Sequence, residues 1–106
     1  MNSGLHHVAL NVTDVKVAVD FYLKYFAFEE VAKPNDRAGA WLQAVDGSQI
    51  HLRKAEVPED NGQHLALLVE DIYRAYETLL EGGIAVTPPS PSLSGHPIFL
   101  LVSRPL

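Results

Sequence analysis

Three histidines of this 106-residue chain occupy positions where they could act together: His7, His51 and His64. His7 and His64 lie in two similar phrases, GLHHVALNVTD at residues 4–14 and GQHLALLVED at residues 62–71. Imidazole nitrogens bind Zn, Ni, Mn and Fe, and a set of three leaves coordination positions open for substrate oxygens. The three histidines therefore predict a site for a divalent metal, although a single histidine is more often a half-buried residue bonded to a neighbour.

The histidines are predicted to share one side of a sheet. Each lies in a predicted strand, and these strands span residues 6–12, 49–53 and 63–69. In every strand the histidine alternates with Val, Leu or Ile side chains, so it faces away from the apolar side that packs on the helices. Five further side chains are predicted to line this side and to contact a small-molecule substrate: Asn11, Trp41, Gln43, Gln49 and Arg53.

Two further points concern His6 and Trp41. His6 falls on the helix side or at the rim of the sheet, and we expect it to be structural or exposed. Trp41 has two interpretations that the sequence leaves open, because it can line the site or fill the space between sheets. No general base is recognisable, so the catalytic residues are unknown. The absence of Cys removes thiolate chemistry and disulfides together.

The two phrases belong to an internal duplication. The offset that places His7 on His64 also places Asp14 on Asp71, without a gap. Each copy begins with a strand and continues with a helix that begins at this Asp or at the residue before it. Further strands are predicted near residues 29–32, 40–45 and 49–53 of the first copy, and near residues 84–87 and 98–102 of the second.

These elements predict an α+β fold in which two βαβββ units form one domain with a cupped mixed sheet. The first unit spans residues 4–56, a linker spans residues 57–62, and the second unit spans residues 63–106. The offset of the duplication carries the last strand of the first unit past Leu106, so the second unit is predicted to lack its last strand. Prolines keep residues 88–97 in a loop.

The composition excludes several classes of partner. Hydrophobic residues make up 47% and charged residues 20% of the chain, as in soluble globular domains. The formal net charge of −5 argues against binding to nucleic acid or to an anionic membrane surface. The N-terminal residues lack the pattern of a secretory signal, so we expect a cytoplasmic protein.

Two long stretches, LHHVALNVTDVKVAVDFYLKYFAFEE and GQHLALLVEDIYRAYETLLEGGIAV, resemble the vicinal oxygen chelate superfamily. This superfamily includes glyoxalase I, bleomycin and fosfomycin resistance proteins, extradiol dioxygenases and methylmalonyl-CoA epimerase. Val12-Thr13-Asp14 and Phe21-Tyr22 match its opening pattern, while Phe26-Ala27-Phe28 stands where its members have Leu-Gly-Phe. The resemblance implies metal ligands in the first and last strands of each unit, which are His7, His51 and His64 here. A fourth ligand position falls near 108, beyond the chain.

The resemblance implies a metal-dependent enzyme of the glyoxalase or dioxygenase type, in which the metal chelates two neighbouring substrate oxygens. Two alternatives stay open. One is a metal-free protein that sequesters its ligand, similar to the bleomycin resistance proteins, and the other is a thiol transferase similar to fosfomycin resistance proteins. A homodimer is expected in each case, because members of the superfamily commonly pair units between subunits and the apolar strand at residues 98–102 would otherwise be an open edge.

Overall fold

The computed structural model describes residues 1–34, 38–59, 61–89 and 99–102, the last of these as backbone only. The chain divides into two compact units. Unit 1 runs from Met1 to Asn61 and unit 2 begins at Gly62, so the division falls within the predicted linker.

The described residues of unit 1 form four strands and one helix, in the predicted order βαβββ. The elements are β1 (His7–Val12), α1 (Val15–Phe26), β2 (Glu29–Val31), β3 (Ala40–Gln43) and β4 (Gln49–Lys54). The strands lie side by side in the order β1-β4-β3-β2. Strand β1 runs parallel to β4, whereas the β4–β3 and β3–β2 pairs are antiparallel. The sheet is therefore mixed, and the α+β class is confirmed.

The core of unit 1 lies between helix α1 and one side of the sheet. Helix α1 begins at Asp14, whose Oδ1 accepts a hydrogen bond from the Val17 backbone N–H at 3.1 Å. This cap satisfies a backbone donor that the first helical turn leaves unpaired. The helix contacts β2, β3 and β4. Its buried side chains pack with those of alternate strand residues, and the fully buried ones include Val12, Ala18 and Leu42.

Two local conformations connect the elements of unit 1. The chain turns between β3 and β4 around Asp46, whose Oδ1 accepts hydrogen bonds from the Ser48 N–H at 3.0 Å and the Ser48 hydroxyl at 2.6 Å. Helix α1 ends at Ala27, which has a left-handed backbone with φ 55° and ψ 33°. Glycine adopts this conformation most readily. The position where the superfamily has Gly therefore requires left-handed geometry in this chain as well.

Unit 2 contains β5 (Leu65–Leu68), α2 (Ile72–Glu81) and β6 (Phe99–Val102) among the described residues. Strands β5 and β6 pair in an antiparallel two-stranded sheet. Asp71 caps α2 as predicted, with Oδ1 accepting from the Tyr73 and Arg74 N–H groups at 3.1 Å each.

One predicted strand of unit 2 is absent. Residues 84–87 form no regular secondary structure, so the prediction of a strand there is wrong. Pro88 and Pro89 follow directly, and neither has the backbone N–H that a strand ladder needs. The prediction of a loop at residues 90–97 lies outside the described residues. No helix in the described part of the chain is long and apolar enough to cross a membrane.

Candidate functional site

The side of the unit 1 sheet that faces away from α1 carries most of the predicted site, and we call it the polar face. Strand alternation places ten side chains on it: His7, Ala9, Asn11, Glu29, Val31, Trp41, Gln43, Gln49, His51 and Arg53. All five predicted substrate-binding residues are among them, together with two of the three predicted metal ligands. The intervening positions on β3 and β4, such as Leu42 and Ile50, are buried against α1.

Three rings on the polar face form a continuous stack, which we call the ring stack. The Trp41 and His51 ring centroids lie 3.9 Å apart with planes inclined by 4°. The His51 and His7 centroids lie 4.0 Å apart with planes inclined by 11°. Strand β4 lies between β3 and β1, so His51 is the middle ring. Both faces of the His51 imidazole are therefore covered, and only its edge is open to hydrogen bonding.

The edge of His51 is engaged by Gln49, which in turn is held by Gln43. His51 Nε2 lies 2.8 Å from Gln49 Oε1, and the Gln49 amide nitrogen donates to Gln43 Oε1 at 3.1 Å. In this arrangement His51 carries a proton on Nε2 and donates it to Gln49. Burial lowers the pKa of His51 below its ordinary value, and the nearby His7 and His6 lower it further. The middle ring of the stack is therefore held neutral, which is the state that a metal ligand requires.

His6 also belongs to this cluster, although alternation placed it on the helix side or at the rim. Its Nδ1 lies 2.9 Å from His7 Nδ1, and its ring meets those of His7 and His51 edge-on, at centroid distances of 5.1 and 6.4 Å. Strand β1 begins only at His7, so the alternation of a strand does not extend to His6. The only sequence signal for its position is the His-His pair itself.

His64, the third predicted ligand, is an exposed residue of unit 2 just before β5. Its Nδ1 lies 3.0 Å from the backbone carbonyl oxygen of Gly62. A carbonyl oxygen can only accept, so Nδ1 carries the proton and Nε2 is the unprotonated nitrogen of the neutral ring. The meeting of His64 with His7 and His51 remains a prediction.

The remaining polar side chains surround the ring stack on the same face. Asn11 donates from Nδ2 to the backbone carbonyl of Glu56 at 3.0 Å, which fixes the orientation of its amide. Arg53 lies beside Asn11 in the β1–β4 register and is exposed, so its guanidinium is accessible to a small anion. The polar face thus combines an aromatic surface, amide groups, the cation of Arg53 and the carboxylate of Glu29.

The imidazole nitrogens of the three histidines suit a borderline divalent metal. In the structure, however, the rings of His7 and His51 do not point at a common ion. The lone pair of an imidazole nitrogen lies in the ring plane, so His7 and His51 cannot reach a common ion while they are stacked. The described ranges contain no preformed group of three or more His, Asp or Glu side chains that could hold a metal. Binding of one ion through both rings therefore requires the His7 and His51 rings to separate.

The sequence of residues 4–96 matches the family model of the Glyoxalase/Bleomycin resistance protein/Dioxygenase superfamily. The chain belongs to this superfamily, as the resemblance of its two duplicated stretches had indicated. No curated protein matches the chain at a significant level.

Several solved structures share this fold. A possible glyoxalase from Bacillus cereus is 25% identical with a TM-score of 0.77, and the match covers 98% of this chain and 93% of that one. A mutant of the fosfomycin resistance protein FosX from Listeria monocytogenes, in complex with Mn(II) and 1S,2S-dihydroxypropylphosphonic acid, is 19% identical with a TM-score of 0.73, covering 100% and 95% of the two chains. TnmS3, an antibiotic binding protein from a Streptomyces species, is 24% identical with a TM-score of 0.70, covering 99% and 98%.

Proposed function

We propose that this protein is a metal-dependent enzyme of the glyoxalase or dioxygenase type that acts on a small polar molecule. In this proposal His7, His51 and His64 hold a divalent transition metal such as Zn, Ni, Mn or Fe. The observation that carries the proposal is the hydrogen bond from His64 Nδ1 to the Gly62 carbonyl. Metal-binding histidines commonly donate one ring N–H to a carbonyl or carboxylate, which orients the ring and leaves the other nitrogen for the metal.

The chain supplies the chemistry around such a metal in distinct parts. The metal itself would supply Lewis acidity to a substrate with two neighbouring oxygen atoms. Burial keeps His51 neutral, and Gln49 holds its ring in place. Arg53 is placed to attract an anionic group of the substrate, while the oriented amide of Asn11 can bind a polar one.

A second candidate, a metal-free ligand-binding protein, is favoured by the ring stack. The stack covers both faces of His51, and the bond to Gln49 occupies its Nε2. Binding of one metal ion by both His7 and His51 must separate their stacked rings, whereas binding of a planar ligand to the polar face need not. A third candidate is a thiol transferase similar to fosfomycin resistance proteins; the fosfomycin resistance protein FosX shares the fold of this chain.

Metal uptake separates the first two candidates. Metal-depleted protein is titrated with Zn, Ni, Mn and Fe(II) by calorimetry, and bound metal is quantified by elemental analysis. We expect each of the variants His7→Ala, His51→Ala and His64→Ala to weaken metal binding. The loss should exceed the roughly 10–100-fold that is typical when an outer-shell partner is removed. His96→Ala is the matched control, since it removes a histidine outside the proposed set. Absence of uptake for all four metals would refute the first candidate and leave the second.

Activity assays then separate the reactions. Purified metal-loaded protein is incubated with methylglyoxal and glutathione, and separately with fosfomycin and a thiol. Turnover that depends on both metal and thiol supports a lyase or transferase, and the product identifies which of the two it is.

We further propose that the protein forms a homodimer. Among the described strands, β5 and β6 form a two-stranded sheet, and such a pair is marginally stable unless further strands or helices support it. A second subunit is one source of this support. Light scattering at micromolar concentration should give twice the monomer mass, and a monomer mass would contradict the proposal.

A further inference from the structure

Three contacts hold His6 beside His7. The His6 backbone carbonyl accepts a hydrogen bond from the Gln49 N–H at 3.0 Å, which attaches this residue to the end of β4. The His6 ring lies at 87° to the His7 ring, with their centroids 5.1 Å apart. The two Nδ1 atoms are 2.9 Å apart. The neighbouring backbone and both rings therefore define the position of His6, although its side chain is exposed.

The short distance between the two Nδ1 atoms constrains where the protons lie. A hydrogen bond between neutral imidazoles needs an N–H on one side and an unprotonated nitrogen on the other. One ring of the pair therefore carries its proton on Nδ1, which is the less common tautomer of free histidine. The Nε2 of that ring is left unprotonated.

We propose that His7 is the donor of this pair and that His6 is a positioning residue that holds His7 in its Nδ1–H tautomer. The duplication supports this assignment, because His7 and His64 occupy equivalent positions. The carbonyl partner of His64 permits only the Nδ1–H tautomer. Nδ1 of each of these two histidines therefore contacts a residue just upstream: His6 for His7, and Gly62 for His64.

The consequence for function rests on the proposed metal site. If His7 is a ligand, its bare Nε2 is the nitrogen that binds, and His6 acts as its outer-shell partner. Such partners set the tautomer and ring orientation, and their removal costs about 10–100-fold in metal affinity. His6 would thus contribute to metal binding without contacting the metal.

Nitrogen NMR of the metal-depleted protein tests the tautomer independently of any metal. The ring nitrogens of ¹⁵N-histidine are observed at a pH well above the reference histidine pKa of about 6.5, where neutral rings dominate. We expect the Nδ1–H pattern for His7 and His64 in the wild type. His6→Ala should shift His7 toward the Nε2–H form and leave His64 unchanged. His6→Asn should restore the Nδ1–H form of His7, because the Asn carbonyl oxygen lies close to where the His6 Nδ1 was. Leu5→Ala, at an exposed neighbouring position, serves as the control.

The proposal is overturned if wild-type His7 carries its proton on Nε2, or if His6→Ala leaves the Nδ1–H form of His7 in place. In protein that binds metal, His6→Ala should weaken binding by about 10–100-fold and His6→Asn should largely restore it. Equal affinities for wild type and His6→Ala would refute the positioning role. If no metal binds at all, the proposed function fails, while the NMR result still decides the tautomer of His7.

Discussion

Replacing Gly39 with Ala tests how strand pairing positions the ring stack. Gly39 directly precedes β3 and has a φ of +107°, a conformation that L-residues rarely adopt. A Cβ at this position would overlap the backbone carbonyl oxygen of Leu52 and lie 3.3 Å from its carbonyl carbon. Leu52 is 2% exposed and pairs with Ala40 in the sheet, so its backbone cannot move aside without disturbing β3 or β4.

Gly47 provides the matched control for the size of this effect. Its φ is +90°, but nothing lies within 4 Å of an added Cβ. Both substitutions incur the left-handed penalty of about 1–2 kcal/mol, offset by about 0.4–1 kcal/mol from the stiffer unfolded chain. Only Gly39→Ala adds the overlap, for which about 1–3 kcal/mol is typical of overpacked sites. We therefore expect a loss of unfolding free energy of about 1 kcal/mol for Gly47→Ala and about 2–4 kcal/mol for Gly39→Ala.

Urea unfolding followed by circular dichroism measures both losses. The fluorescence of Trp41, the only tryptophan, reports the ring stack in the folded protein. Gly39→Ala should change this signal because Trp41 lies two residues further along β3, whereas Gly47→Ala should leave it intact. Equal stability losses for the two variants would refute the argument, since it would mean that the backbone at Leu52 yields at no cost.

Three further predictions concern the core, a helix end and the ring stack. The buried hydroxyl of Tyr22, whose pKa burial raises to about 12, has no hydrogen-bond partner among the described residues. Tyr22→Phe should therefore raise the unfolding free energy by about 1 kcal/mol, and a comparable loss in urea unfolding would contradict this. Ala27→Gly should raise it by about 0.5–1 kcal/mol, since it relieves the left-handed backbone, and an unchanged urea midpoint would contradict that reason. The pKa of His51 is lowered by folding, so its contribution to stability is present above the unfolded pKa of about 6.5 and is lost as pH falls toward the folded pKa. In metal-depleted protein, protonation of His51 should quench Trp41 fluorescence with a midpoint below about 6.5, and His51→Gln should abolish this transition.

Local sequence signals predicted much of unit 1 correctly. The alternation of apolar residues predicted the strands. For each helix cap the sequence offered the Asp or the residue before it, and the structure shows that Asp14 and Asp71 are the caps. These signals are local because a strand's alternation and a helix cap each depend on a few consecutive residues. The predicted strand at residues 84–87 failed because alternation alone cannot provide a pairing partner, and two prolines follow it.

The sequence likewise predicted one part of the candidate site and not another. Alternation predicted that His7, His51 and the five polar or aromatic residues face the same way, and the register of unit 1 places them so. It could not predict which of them touch. His6 is exposed, as predicted, but its contact with His7 was not predicted because His6 precedes the first strand residue, where alternation does not apply. Whether His64 joins this cluster depends on how the units meet and stays a prediction.

The sequence by itself indicated the superfamily, the βαβββ order of unit 1 and the side of the unit 1 sheet on which the predicted site residues of its strands lie. Only the tertiary structure decided that β4 lies between β1 and β3, and hence that His51 is enclosed by His7 and Trp41. The physical reason is that the faces of a strand depend on its own residues, whereas its place in the sheet depends on residues distant in sequence. A strand's own residues fix its faces with a period of two, but its neighbours and register are set by hydrogen bonds to segments far away in the chain.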